Sequence, residues 1–128
     1  MVDLRSIMTG DVFLTTSDAS VVDAARGMAE GRCGSALVMT GSWLTGIITE
    51  RDVLRAAASG HDLNSVPVKE WMTRDPVTVG PETDSEEAAG IMLASGFRHL
   101  PITEGSNVVG IVSLRDVLSA RVRRRSPG

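Results

Sequence analysis

Apolar positions along the chain fall into short runs whose spacing alternates between that of a strand and that of a helix. Val12 to Thr15 is a short β-prone stretch, and Ser17-Asp18-Ala19-Ser20 behind it carries side chains suited to turn and N-cap positions. Val21, Val22, Ala25, Met28 and Ala29 then recur at helical spacing, predicting a helix over 21–30 that Gly31 and Gly34 punctuate. Ala36-Leu37-Val38-Met39 reads as a buried strand, Gly41-Ser42 as a tight turn, and 43–48 as the antiparallel partner. Thr49 opens a second helix from Glu50 to about Ala58, with Val53, Leu54 and Ala57 turned inward, and Ser59-Gly60 stops it. The order is β-α-β-β-α.

The second half predicts the same order: a strand over 77–79, a helix over 84–95, strands over 99–103 and 107–112, and a helix from Ser113. Pro101 has no N–H to give a ladder, so its strand is expected at an edge or beside an irregularity. Residues recur as well as elements. Gly46-Ile47-Ile48-Thr49-Glu50-Arg51-Asp52 returns 64 positions later as Gly110-Ile111-Val112-Ser113-Leu114-Arg115-Asp116. The same offset relates Met8-Thr9 to Met72-Thr73, Ala24-Ala25 to Ala88-Ala89, Met28 to Met92, and even Val2 to Val66. The chain therefore divides into repeats 1–60 and 61–128, with a hinge over 59–66 and a basic tail over 121–128. So long a period, present only twice, predicts a closed pseudo-symmetric pair; a solenoid needs about three repeats. A half of roughly 60 residues is marginal alone because it buries too little of its surface.

Composition narrows the function. With 42% hydrophobic and 23% charged residues the chain has an ordinary globular make-up. Its net charge is −3, although four arginines crowd residues 121–125. Arginines there suit a helix C-terminus, and neither a basic face nor interleaved aromatics accompanies them, so no nucleic-acid role is expected. Cys33 is the one cysteine, leaving no intramolecular disulfide, and is assigned to the core. The start lacks a secretory pattern and no apolar run approaches the roughly 18 residues of a membrane span, so a cytoplasmic protein is expected. Two histidines and one cysteine, without a metal-ligand cluster, a P-loop or a nucleophile-base arrangement, argue against an enzyme and against a cofactor.

A Met-Thr pair, a short strand, an Ala-rich helix, a hairpin and Gly-x-x-(Thr/Ser)-x-x-Asp recur in fixed order, alongside Arg74-Asp75-Pro76-Val77-Thr78-Val79 and Gly96-Phe97-Arg98-His99-Leu100-Pro101-Ile102. In these the chain resembles a tandem CBS-domain pair, or Bateman module, over nearly its whole length. The resemblance implies an α+β fold of two β-α-β-β-α repeats packed through their sheets as a pseudo-two-fold pair. It also implies two clefts for adenosine-containing regulatory ligands: AMP, ADP, ATP or S-adenosylmethionine. The motif's Asp would accept from ribose hydroxyls and its Thr or Ser would bond ribose or phosphate, which suits an acceptor-only carboxylate and a donating hydroxyl.

By the family arrangement, Thr49 and Asp52 face Arg98 and His99, with Thr73 to Val77 near the base. Ser113 and Asp116 face Gly34 and Ser35, with Thr9 to Phe13 in the base position. Arg51 and Arg115, next to the aspartates, are within reach of a phosphate. Only the first cleft has cations in its opposing wall, so it ranks first. The function implied is a stand-alone sensor module, homodimeric, with an unidentified protein partner; Met28, Met92 and the paired alanines are packing surface that also permits close helix contact between subunits. Two plainer readings stand beside it. Thr49-x-x-Asp52 and Ser113-x-x-Asp116 also describe a helix start, where a hydroxyl cap is worth about 1 kcal/mol and an acid favours the dipole. The chain would also suit a dimeric scaffold with empty clefts that engages its partner through the dimer face or the Arg-rich tail.

Overall fold

The computed structural model describes residues 2–125, without the side chains of 124 and 125. In chain order these form β1 (Leu14–Thr15), α1 (Val21–Gly31), β2 (Ser35–Thr40), β3 (Trp43–Thr49), α2 (Glu50–Ala58), β4 (Thr73–Arg74), α3 (Ser85–Ser95), β5 (His99–Glu104), β6 (Asn107–Ser113) and α4 (Leu114–Arg125). Single 3-10 turns cover Leu4–Ser6 and Val68–Glu70. The class is α+β, as expected. Ser126 to Gly128, the end of the basic tail, lie outside the described residues.

Two compact units result. Val12–Pro76 holds one four-stranded sheet in the order β1-β2-β3-β4, with β1 parallel to β2 and the other pairs antiparallel. The β2–β3 hairpin closes on Gly41, whose φ of 60° lies in the left-handed region that glycine adopts without strain. Its core gathers Val21, Ala24 and Met28 from α1, Ala36, Val38 and Ile48 from the sheet, Ala56 from α2, and Val66 and Val68 from the segment that follows. The helix faces differ from those expected: Ala29, Leu54 and Ala57 are exposed, Leu54 at 69%. The start of α2 sets its rotation. Its cap turns Asp52 inward, Ala56 follows one turn later on that face, and Leu54 falls on the opposite side.

The second unit combines the described residues up to Asp11 with those from Val77 onward. Its β5–β6 hairpin repeats the β2–β3 register, including the bulge, between Ile102 and Thr103 here and between Val38 and Met39 there. Thr9 pairs with Ile111 as Thr73 pairs with Ile47, and Val79 pairs with Ile102 as Thr15 pairs with Val38. The expected strand over 77–79 shrinks to that single bridge, and Pro101 supplies a reason. At the equivalent place Leu37 donates its N–H to the Phe13 carbonyl at 2.9 Å, a rung that proline cannot make. Leu4, Ala88, Ala89, Met92, Leu100, Ile102, Val112 and Val117 fill the core.

The outer segments are exchanged. Residues 2–11 belong to the first repeat and 66–74 to the second or its hinge, yet each completes the unit built by the other repeat. Val68 N–H donates to Ala19 O at 2.8 Å and Lys69 N–H to Ser17 O at 3.0 Å; Leu4 N–H donates to Thr83 O at 2.9 Å and Arg5 N–H to Pro81 O at 2.8 Å. Val68 and Leu4 are both fully buried. The ion pairs correspond too, Lys69–Asp18 at 3.1 Å and Arg5–Glu82 at 2.7 Å. Sequence repeats and packing units are thus different partitions of the chain. Cys33, expected in a core, is exposed: it follows left-handed Arg32 at the end of α1, where its N–H closes the helix on Met28 O.

Candidate functional site

Each repeated motif begins where an exchanged segment presses on a strand. A Cβ at Gly46 would stand 2.6 Å from Met72 Sδ and 3.1 Å from Thr73 O; at Gly110 it would stand 2.8 Å from Met8 Sδ and 3.0 Å from Thr9 O. Glycine lets the segment lie this close to the strand. Three residues on, the strand hands over to a helix. Thr49 ends β3 opposite Ser35, and Glu50 N–H donates to Gly34 O at 3.0 Å; Ser113 ends β6 opposite His99, and Leu114 N–H donates to Arg98 O at 2.9 Å.

At both handovers the hydroxyl residue and the aspartate close a capping box. Thr49 N–H donates to Asp52 Oδ2 at 2.9 Å while Asp52 N–H donates to Thr49 Oγ1 at 3.4 Å. Ser113 N–H donates to Asp116 Oδ2 at 2.8 Å while Asp116 N–H donates to Ser113 Oγ at 3.0 Å. The helix-start reading is therefore fulfilled in both copies. One oxygen of each carboxylate, Oδ2, is committed to the helix, and Oδ1 makes no hydrogen bond among the described residues. The copies differ in the hydroxyl proton. Thr49 Oγ1 also donates to Asp52 Oδ2, at 3.1 Å, whereas Ser113 Oγ only accepts among the described residues. Asp52 is buried and Asp116 half-buried.

The other expected site residues divide between the units. Phe13, Ser35, Thr49, Arg51, Asp52 and Thr73 lie in Val12–Pro76; Thr9, Val77, Arg98, His99, Ser113, Arg115 and Asp116 lie in the other. Within units, the structure brings Ser35 beside Thr49 and brings His99, with Arg98 next to it, beside Ser113. The grouping of Arg98 and His99 with Asp52 draws on residues of both units. Arg51 and Arg115 are exposed in the first turns of α2 and α4. Thr73 and Thr9 are exposed strand-edge residues, Val77 is exposed, and Phe13 is half-buried with its ring against Gly27, where a Cβ would come within 2.0 Å of it. Phe13 is thereby a packing group of its own unit.

The hydrogen bond from Arg5 holds the Glu82 carboxyl below its usual range, and the backbone N–H of Asn64 does the same for exposed Asp62. Among the described residues no cluster of three or more His, Cys, Asp or Glu is placed to hold a metal ion, and no helix is long and apolar enough to cross a membrane.

A profile of the CBS domain matches residues 4–59 and again residues 68–123. The chain belongs to the CBS-domain family. This CBS pair is 40% identical over 119 residues to the uncharacterized 17.7 kDa protein of Acidianus ambivalens, spanning 91% of this chain and 71% of that one. Among solved structures, it superposes on the hexameric CBS-CP12 protein from bloom-forming cyanobacteria with a TM-score of 0.89 at 30% identity, covering 99% of this chain and 76% of that one. The CBS domain pair of protein MJ0100, solved with 5′-methylthioadenosine and S-adenosyl-L-methionine, shares the fold with a TM-score of 0.89 at 22% identity, over 98% of this chain and 99% of that one. The two CBS matches begin at Leu4 and Val68, the buried residues of the exchanged segments. Sequence reasoning assigned those residues no role, although the correspondence of Val2 with Val66 carried the signal: the repeat already extended into both flanking segments.

Proposed function

We propose that this CBS pair is a regulatory sensor, homodimeric and without catalytic chemistry, that binds an adenosine-containing ligand of the AMP, ADP, ATP or S-adenosylmethionine class through its two (Thr/Ser)-x-x-Asp motifs. One observation carries the reading: in both copies the aspartate commits Oδ2 to the helix cap, and its Oδ1, without a hydrogen bond among the described residues, is open to an outside donor. A ligand hydroxyl is such a donor, and a carboxylate acceptor makes a charge-assisted bond with it. Arg51 or Arg115, one residue away, supplies a cation for a phosphate or carboxylate group. The likeness in fold to a CBS pair solved with two adenosine compounds supports the ligand class.

The two hydroxyls divide the work differently. The Thr49 proton is held by Asp52, so Thr49 serves the cap; Ser113 retains its proton for a ligand oxygen, with Arg98 and His99 beside it in the same unit. Ligand binding regulates only if two conformations bind it unequally, so the sensor must shift between states on occupancy. Calorimetric titration of the whole chain with AMP, ATP, S-adenosylmethionine and NAD tests the proposal, repeated with Asp52→Asn and Asp116→Asn, whose amide oxygen still accepts a cap bond. Binding by wild type that weakens in at least one variant is expected. A wild type that binds none of the four, with a partner set in pull-downs indifferent to nucleotide, favours the ligand-free scaffold instead.

A further inference from the structure

The chain passes from one unit to the other at Asp11–Val12 and again at Pro76–Val77, and the repeat register makes these two passages counterparts. They are held differently. At the first, Phe13 lays its ring on α1 at Gly27, where a Cβ would come within 2.0 Å of it, and its carbonyl accepts from Leu37 N–H at 2.9 Å. At the second, neither anchor is present among the described residues. Val77 stands in the place of Phe13 and is 49% exposed, and Ile91, in the place of Gly27, packs on the core of its own unit. Pro101, in the place of Leu37, has no N–H for the Val77 carbonyl. Thr78 is exposed too, and the sheet takes hold only at Val79, whose N–H donates to Pro101 O at 3.2 Å.

The second passage is also strained. Asp75 has a φ of 46°, where the Cβ of an L residue crowds a carbonyl oxygen, and Pro76 behind it favours extended backbone instead. Among the described residues only Arg32 shares a positive φ without being glycine, so Asp11 differs from its counterpart. A backbone state of this kind persists where its neighbours hold it. The holder is β3: Asp75 N–H donates to Thr45 O at 3.1 Å, and the same strand runs on to Thr49 at the start of the first motif. Asp75 is thus gripped on the side of β3, while Val77 and Thr78 beyond it lack the anchors of the first passage.

We propose that residues 75–78 are the hinge of this CBS pair. Asp75 exchanges there between the left-handed state that Thr45 holds and an extended one, with Val77 and Thr78 following, while 11–14 stay fixed. The hinge supplies the second conformation that the sensor reading above requires, and rests on that reading only for the effect of a ligand, which shifts the ratio of the two states if it binds them unequally. Nitrogen-15 relaxation dispersion on the whole chain tests it, with circular dichroism melting to select folded variants. Wild type is expected to show microsecond-to-millisecond exchange at Asp75, Val77 and Thr78 and none at Val12, Phe13 and Leu14. Asp75→Gly, which removes the Cβ, lowers the ratio of extended to left-handed state roughly fivefold or more. Pro101→Ala, which restores an N–H, quenches the exchange at Val77 and Thr78. Asp75→Val, whose branched side chain the left-handed region rejects, makes the extended state the main one, read from the backbone chemical shifts of 75–78 in a folded chain. Equal exchange at both passages, exchange at 75–78 that Asp75→Gly and Pro101→Ala leave unchanged, or an Asp75→Val chain that unfolds instead of switching overturns the hinge. Titration with ATP and with S-adenosylmethionine separates the two readings. A ligand that binds by calorimetry and leaves the exchange at 75–78 untouched overturns the hinge as the sensor's moving part, whereas a chain that exchanges there and binds neither ligand keeps the hinge and counts against the sensor.

Discussion

Replacing Leu4 by alanine separates an exchanged segment from a mere N-terminal extension. Leu4 is fully buried and sits in one core with Met92, Leu100, Ile102 and Val112, residues 88 or more positions away in sequence (92 − 4 = 88). Cutting a fully buried leucine to alanine removes its transfer free energy and leaves a cavity, together about 3 kcal/mol within a usual span of 2–5. In a chain of this size that lowers Tm by roughly 10 °C. The backbone bonds of Leu4 and Arg5 to Thr83 and Pro81 persist in the variant, so the loss is of packing. Urea denaturation gives the magnitude, and hydrogen exchange read by mass spectrometry gives the place: α3, β5 and β6 should lose protection while α1, β2 and β3 keep theirs. A cost below about 0.5 kcal/mol, typical of a surface position, or a loss of protection confined to residues 12–59, would refute the exchange.

Gly110→Ala forces a Cβ to within 2.8 Å of Met8 Sδ and 3.0 Å of Thr9 O, so it should cost about 1–3 kcal/mol in denaturation, with β6 and residues 2–11 exchanging faster. The Met8 side chain can move but the Thr9 carbonyl is backbone, and a neutral substitution would show that the segment is free to lift away. Glu82, held below the ordinary carboxylate range by Arg5, contributes stability that is present above its unfolded value and lost as pH falls through its folded one. The stability gap between wild type and Glu82→Gln, followed by urea denaturation in steps downward from neutrality, should be widest at neutral pH and close under acid. A gap that widens toward acid contradicts the assignment.

Local order was legible because its causes are local. Thr49 and Ser113 announce helix starts by hydroxyl-x-x-acid spacing, and the bonds to Asp52 and Asp116 make both capping boxes. Gly41 marks a hairpin turn by needing a positive φ, and Pro101, which lacks an N–H, sits as expected on an edge strand, β5 of the two-stranded β5-β6 sheet. What escaped is whatever depends on a second surface. The inward face of α2 cannot be read from Val53, Leu54 and Ala57 because its nine residues carry more apolar positions than one face can bury; the cap decides, and Leu54 goes outward. The 64-residue register related Leu4 to Val68 as like to like, but likeness between repeats does not say which repeat a segment completes. That depends on long-range pairing, Thr9 with Ile111 and Thr73 with Ile47, for which periodicity has no signature. The glycine that opens each motif is the nearest thing to one. Gly46 and Gly110 are small because a neighbouring segment crosses them, so the first residue of the apparent ligand motif is explained by the exchange, and the hydroxyl and acid that follow it by the helix. Among the described residues, the Oδ1 of each aspartate and the Ser113 hydroxyl proton are left over from folding, and they are the parts of the motif on which a ligand has a claim.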